Sequence, residues 1–533
     1  FGTLSDTSQF EINPRGATNI RIAGGRAAKR EWLGAIEARG RITEAGWEVE
    51  ARIPWKIMRL PAAGPRTLRF NVSRELQRTQ REYVWRYTGG GAIQNHGRWL
   101  SVEIPKAPVE RTLLLLPYAY GGWDEDRGHV ANAGVDLKTN LTDQVVAVGS
   151  INPDFRNIEN EILSLDFSRF ERIAGETRPF FQEGSQYLES ALFASQRIPG
   201  FDMGLNVHGR LSDRMNFGVL DTIDFGLRNS LVANGTYNPT PTESYRATVT
   251  SLTAGGLENT AYLARYSKTL GPLSLFLRNM GTADSAQGGG VFNTLSMNYF
   301  RQGLNVFFSY DAVSPDFLPR LGFVPERNYR GVSTGIEWSK PLGKGLVKEM
   351  RPNVFWQDYD RFDGGNYRQS LVAGQSVLFK DNTGFDLFTQ LEDFLGVYDR
   401  LYGVRLTRPR GNPYRQFTAD YQWGRLALQS YKSLTLSAAY RPVEKLQLTA
   451  SYQVVDHFEK SDLGILGLNY DMGNDTYLGG RLVKRDEDLN FYLSWRRSGN
   501  KGIEYYVILG DPNAQTFRTS LIFKVVAPIA IGG

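Results

Sequence analysis

From about Arg111 to its C-terminus the chain keeps a two-residue rhythm. Segments of about ten residues alternate apolar and polar side chains, punctuated by Gly, Pro, Asn and Asp. Leu446, Leu448, Ala450, Tyr452 and Val454 share one face, and Gln447, Thr449, Ser451 and Gln453 the other. The segment before it sets Leu434, Leu436, Ala438 and Tyr440 against Ser433, Thr435 and Ser437. Leu489, Phe491, Leu493 and Trp495 repeat the pattern, as do Phe517, Leu521, Phe523 and Val525 near the end. A strand is the conformation whose side chains alternate with period two. Strands of this length suit a tilted bilayer crossing, whereas strands of soluble domains are mostly about 5–6 residues. Tyr310, Tyr440, Tyr452 and Trp495 fall toward segment ends, where interfacial aromatic belts sit. No fixed long-period motif suggests a propeller or solenoid.

Mean hydropathy is −0.36, and no run approaches the 18 or more apolar residues of a membrane helix. A barrel hides its apolar signal in every second residue, and closure pairs every backbone group inside lipid. The expected fold is therefore all-β: a large transmembrane antiparallel β-barrel of about 24 strands, range 22–26. Expected strand starts include 111, 129, 144, 162, 203, 213, 242, 259, 501 and 513. Tight connections fall at Gly271-Pro272, Arg301–Gly303, Lys380–Asn382 and Pro442–Glu444. Longer ones fall near 283–290, 312–327, 359–365 and 456–461. Bacterial barrels turn tightly on the periplasmic side, so an even count puts both barrel ends there.

The chain has no cysteine, which removes disulfides, thiolate metal sites and thiol nucleophiles. Its four histidines are scattered without metal-ligand spacing. The 62 basic and 56 acidic residues give a net charge of +6, but they are interspersed. Without a basic run or motif they do not indicate nucleic acid. The chain opens at Phe1 without Met, so its start is read as processed or truncated.

Residues 144–187 carry a set of motifs: Asn152-Pro153-Asp154-Phe155, Ile158-Glu159 and Glu176-Thr177-Arg178-Pro179-Phe180-Phe181-Gln182-Glu183-Gly184. With PYAYGG at 117–122 and Gly134–Lys138, the set resembles a bacterial outer-membrane barrel family of largely uncharacterised function. In that family a family-9-type carbohydrate-binding module precedes the barrel. Phe10–Ala17, Gly46–Trp55 and Phe70–Arg74 look like the C-terminal part of such a module. The resemblance covers about residues 10–200. It implies a partial β-sandwich (DOMON-like, carbohydrate-binding) over 1–108 and a barrel over 109–533; with an even strand count the module is expected in the periplasm.

Half of the 10 tryptophans, Trp32, Trp47, Trp55, Trp85 and Trp99, lie in the first hundred residues. Sugar rings stack on exposed flat aromatics; Trp55, Trp85 and Trp32 are the candidates, with a core role as the alternative. Asp154, Glu159, Glu161 and Asp166 lie beside Arg156, Arg169, Arg172 and Arg178. Such acids can serve acid–base chemistry or hold calcium. The plainer reading is a lumen network of arginine–carboxylate pairs, bracing an inserted segment at 172–200 that constricts or plugs the pore. No catalytic residue is assigned, because no GxSxG-type context of a barrel hydrolase is present, and no metal site or resident cofactor is assigned. Nor does the beginning look like the long plug of an energy-coupled transporter. The function expected is a channel or substrate-capture protein, with oligosaccharide as substrate class on the resemblance alone. The alternatives are a structural barrel anchoring a periplasmic partner-binding module, and a barrel-embedded hydrolase using Asp154 or Glu159. Expected partners are outer-membrane lipid and lipopolysaccharide, oligosaccharide, and a periplasmic or outer-membrane protein.

Overall fold

The computed structural model describes all residues except 1–8, 17, 22–35, 56–62, 77–80, 87–95, 106–112, 143, 156–157, 343, 413, 444, 499–502 and 533. From Leu113 onward, 24 antiparallel strands form one closed barrel, each paired with its neighbours in sequence. The first strand, Leu113–Asp124, pairs with the last. That last strand runs as Ser520–Val526 and Ile529–Ile531, interrupted at Pro528, which has no N–H to give the ladder.

Side chains sort as the alternation requires. In Gln429–Val443, Leu434, Leu436 and Tyr440 face outward and exposed, while Ser433 is buried inward and Ser437 bonds Ser451 on the next strand. Exposed aromatics form two belts on the outer wall. Tyr237, Tyr245, Trp338, Tyr440 and Tyr470 lie toward the end that carries both barrel termini; Trp123, Tyr310, Trp356, Trp423 and Tyr452 lie toward the other. An apolar outer band between aromatic belts is the surface of a barrel that sits in an outer membrane.

The 24 strands agree with the expected number, although two local errors cancel in it. No strand begins near 162: residues 152–202 form one long excursion between Val145–Ile151 and Met203–Ser212. The strand Arg228–Thr240 lacked a start of its own. The closing strands begin at Glu504 and Ser520, later than the expected 501 and 513. The tight turns at 271–272, 302–303 and 380–383 lie at the termini-bearing end, as expected. Connections at the opposite end are mostly short too, as at 255–256, 395–396 and 427–428.

Before the barrel, the described residues form four two-stranded antiparallel ladders: Gln9–Ile12 with Thr18–Arg21, Glu37–Thr43 with Gly46–Arg52, Gly64–Phe70 with Gly97–Ile104, and Ser73–Leu76 with Arg81–Val84. Ile36, Leu68, Val102 and Ile104 make a small core, flanked by Phe10, Ile12, Ile53 and Trp55. Two continuous packed sheets are not seen among these residues. Arg66 meets Asp213 at 2.5 Å, in the turn after Met203–Ser212. The contact sets the ladders beside the termini-bearing end.

Candidate functional site: the barrel lumen

The excursion begins and ends at one point. The Asn152 N–H donates to the Asp202 carbonyl at 2.7 Å, directly beyond the strand pair Ile151–Met203. Fifty-odd residues thus hang from what is otherwise an ordinary hairpin, and they fold against inward-facing side chains of the wall.

Two kinds of contact hold them. The first is apolar. Phe180, Phe181, Leu188, Ile198 and Phe201 pack on Val146, Val148, Leu220, Val232 and Leu252, which come from four strands of the wall. Leu192 continues the core onto Ala261, Leu263, Met280 and Phe292. Two single-turn helices, Pro179–Gln182 and Ser185–Leu188, shape this part, joined through Gly184 at φ 64°. A Cβ on Gly184 would come within 2.3 Å of the His208 ring, so both backbone geometry and space demand glycine. Arg178 closes the substructure: its guanidinium donates to the carbonyls of Ser195 (2.7 Å) and Ile198 (2.6 Å), pairs with Glu176 at 2.6 Å and lies over the Phe181 ring.

The second kind is polar and reaches the opposite wall. Leu165 N–H donates to the Gln453 side chain at 2.7 Å, and Gln453 donates to Asp166 at 2.7 Å. Arg169 pairs with Asp399 and lies 3.9 Å from Glu392. Glu159 pairs with Arg481 at 2.6 Å and accepts from the Tyr492 hydroxyl. Asp154 pairs with Lys524, and Glu183 with Lys138, at 2.7 and 2.9 Å. Leu165 and Phe167 add an apolar seat beside Tyr431 and Val455.

Of the charged residues singled out from the sequence, Asp154, Glu159, Asp166 and Arg169 bridge to the wall. Glu161, Arg172 and Arg178 bond within the excursion, Glu161 to the Gly175 N–H and Arg172 to Ser164. Arg156 lies outside the described residues. Asp154 and Glu159 face separate cations, Lys524 and Arg481, and do not converge on one reacting centre. No group of three or more His, Asp or Glu converges as a metal site among the described residues. The wall partners Lys138, Asp399, Gln453, Arg481 and Lys524 were not singled out. Apart from the place of Lys138 in the Gly134–Lys138 motif, their sequence signal is a charge or amide on the polar face of a strand, which most strands carry.

In the N-terminal ladders, Trp55 lies partly buried against the Leu68 core. Trp85 is 58% exposed, its ring stacked on Phe70 with centroids 4.9 Å apart, and the exposed Trp99 ring is tilted against Phe70 at 5.9 Å. Trp32 lies outside the described residues.

A family described as a domain of unknown function (DUF5916) matches residues 108–215, the first barrel strands and the whole excursion. No curated protein matches the chain. Among solved structures, the siderophore receptor PirA of Pseudomonas aeruginosa is similar at 9% identity and TM-score 0.43, over 80% of this chain and 82% of that one. The alcaligin receptor FauA of Bordetella pertussis is similar at 10% and 0.39, over 99% and 98%. The translocation pore of the P pilus usher PapC is similar at 10% and 0.29, over 79% and 100%.

Proposed function

We propose that this barrel is an outer-membrane channel or substrate-capture protein, and that residues 152–202 set what its lumen admits. The observation carrying this reading is the way the excursion is held. It is tethered at one hairpin, yet bonded to wall residues from Lys138 round to Lys524. A covering for one edge would need fewer partners. The longest connections, 152–202, 314–328 and 510–519, all lie at the end opposite the barrel termini, which favours placing the termini-bearing end, and the N-terminal ladders, in the periplasm. The exposed Phe70–Trp85–Trp99 face supports oligosaccharide capture there; the ion-paired state of Asp154 and Glu159 favours a non-enzymatic role.

The test is deletion of residues 153–201, which joins Asn152 to Asp202 as a two-residue turn like those at 255–256 and 395–396. In planar bilayers the deleted barrel should conduct several times more than the full chain, and added oligosaccharide should block the full chain's current. Unchanged conductance would remove the constriction. Two silent barrels would favour the second reading, an anchor for a partner-binding module, which the extensive apolar filling around Phe180 and Phe181 also suits.

A further inference from the structure

Three arginines stand side by side on the inner wall. Arg246, Arg265 and Arg278 occupy consecutive register positions on Glu243–Ala254, Leu257–Leu270 and Leu273–Asp284. Directly opposed residues of neighbouring antiparallel strands have Cα atoms about 5 Å apart, so the three side chains leave the wall as one row. That they point inward follows from their partners: Arg246 donates to the Glu189 carbonyl of the lumen segment at 3.0 Å, and Arg278 lies 4.4 Å over Phe292 of the buried core.

Like charges at directly opposed positions repel, and the row is poorly compensated. Arg246 spends its other bond on the Thr236 hydroxyl, at 3.2 Å. Arg278 donates to Thr294, which itself donates to Asp311; Asp311 is 4.0 Å away, and the buried Arg278 Nε meets no acceptor among the described residues. Arg265 lies over the Phe276 ring, and no carboxylate stands within 4 Å of it among the described residues. Two acids face the row, Asp311 at one end and the exposed Glu189 on the lumen segment, leaving three cations against two anions.

We propose that Arg246, Arg265 and Arg278 form an oxyanion site in the lumen, taking the phosphate or carboxylate of a passing or captured solute. Arginine forks match the paired oxygens of these groups, and partial dehydration in the lumen strengthens the attraction. The site deepens the channel or capture reading and rests on it for its role: an acidic or phosphorylated solute fits the row, a neutral one gains nothing from it.

The experiment titrates inorganic phosphate into the full chain in detergent by calorimetry, at constant ionic strength so that general screening does not change. Saturable binding is expected, weakened at least tenfold in Arg265→Gln and partly restored in Arg265→Lys. Glu189→Gln removes a competing anion without altering the wall, and should tighten binding. No saturable binding, or equal binding by wild type, Arg265→Gln and Glu189→Gln, overturns the site. The outcomes separate from those of the conductance test: a chain that binds phosphate yet never conducts keeps the site and loses the channel, and one that conducts without binding does the reverse.

Discussion

Arg178 shows how one side chain can organise a substructure. Its charge is largely buried, and it is compensated by Glu176 and two backbone carbonyls. Removing one partner of such a buried group costs about 3–5 kcal/mol, because the other charge is left unpaired. Arg178→Ala should therefore release 176–198 from the wall inside an intact barrel, read as new protease cleavage within 176–198 while the barrel stays folded in unheated SDS. Burial alone would raise the Glu176 pKa, but its bonds from Arg178 outweigh burial and hold it below the ordinary carboxylate value. A carboxyl depressed on folding stabilises fully above its unfolded pKa, about 4.3, and loses that contribution as pH falls through the folded value. The wild-type segment should accordingly become protease-sensitive below about pH 4, whereas Glu176→Gln should lose that acid-dependent step. A wild type equally resistant at pH 3 and pH 7 would contradict the assigned role of the pair.

At the level of elements, a strand was legible where its outward face is strongly apolar. Gln429–Val443 and Leu446–Asp456 present Leu and Tyr to lipid and Ser, Thr and Gln to the lumen, so their register could be read directly. It can be tested: Leu436→Arg should cost about 2–4 kcal/mol, as charges near the midplane of a lipid face do. Ser437→Arg, one residue on and facing the lumen, should cost little in a urea unfolding series in lipid. Equal costs would mean the register is wrong. Arg228–Thr240 escaped notice because its outward face includes Ala233 and Gly235 and its inward face carries Val232 against the lumen core. Apolar residues on both faces erase the alternation. The reverse happened near 162. Leu163, Leu165 and Phe167 alternate with Ser164 and Asp166 because that stretch is extended between the Tyr431 seat and polar lumen groups. Its backbone N–H at Leu165 finds a Gln453 side chain in place of a neighbouring strand. Period two reports extended chain with two different sides, and ladder pairing is a separate matter.

For the molecule as a whole, closure was readable because a long run of amphipathic strands leaves no stable open edge in lipid. Which wall residues grip the lumen segment was not, since Asp399, Gln453 and Lys524 approach it only once the barrel curls. The balance between wall and filling yields a further prediction. If the 24 strands carry their own stability, the barrel lacking 153–201 should still migrate as a folded species in unheated SDS, but shift to the unfolded position at a lower temperature than the full chain. Failure to fold at all would make the filling part of the scaffold. Either way, the meeting of Asn152 and Asp202 across a single hydrogen bond makes the interior a cartridge. A different insert of any length whose ends lie side by side could be loaded at that one position without re-registering a strand, so a change of cargo would require no change of vessel.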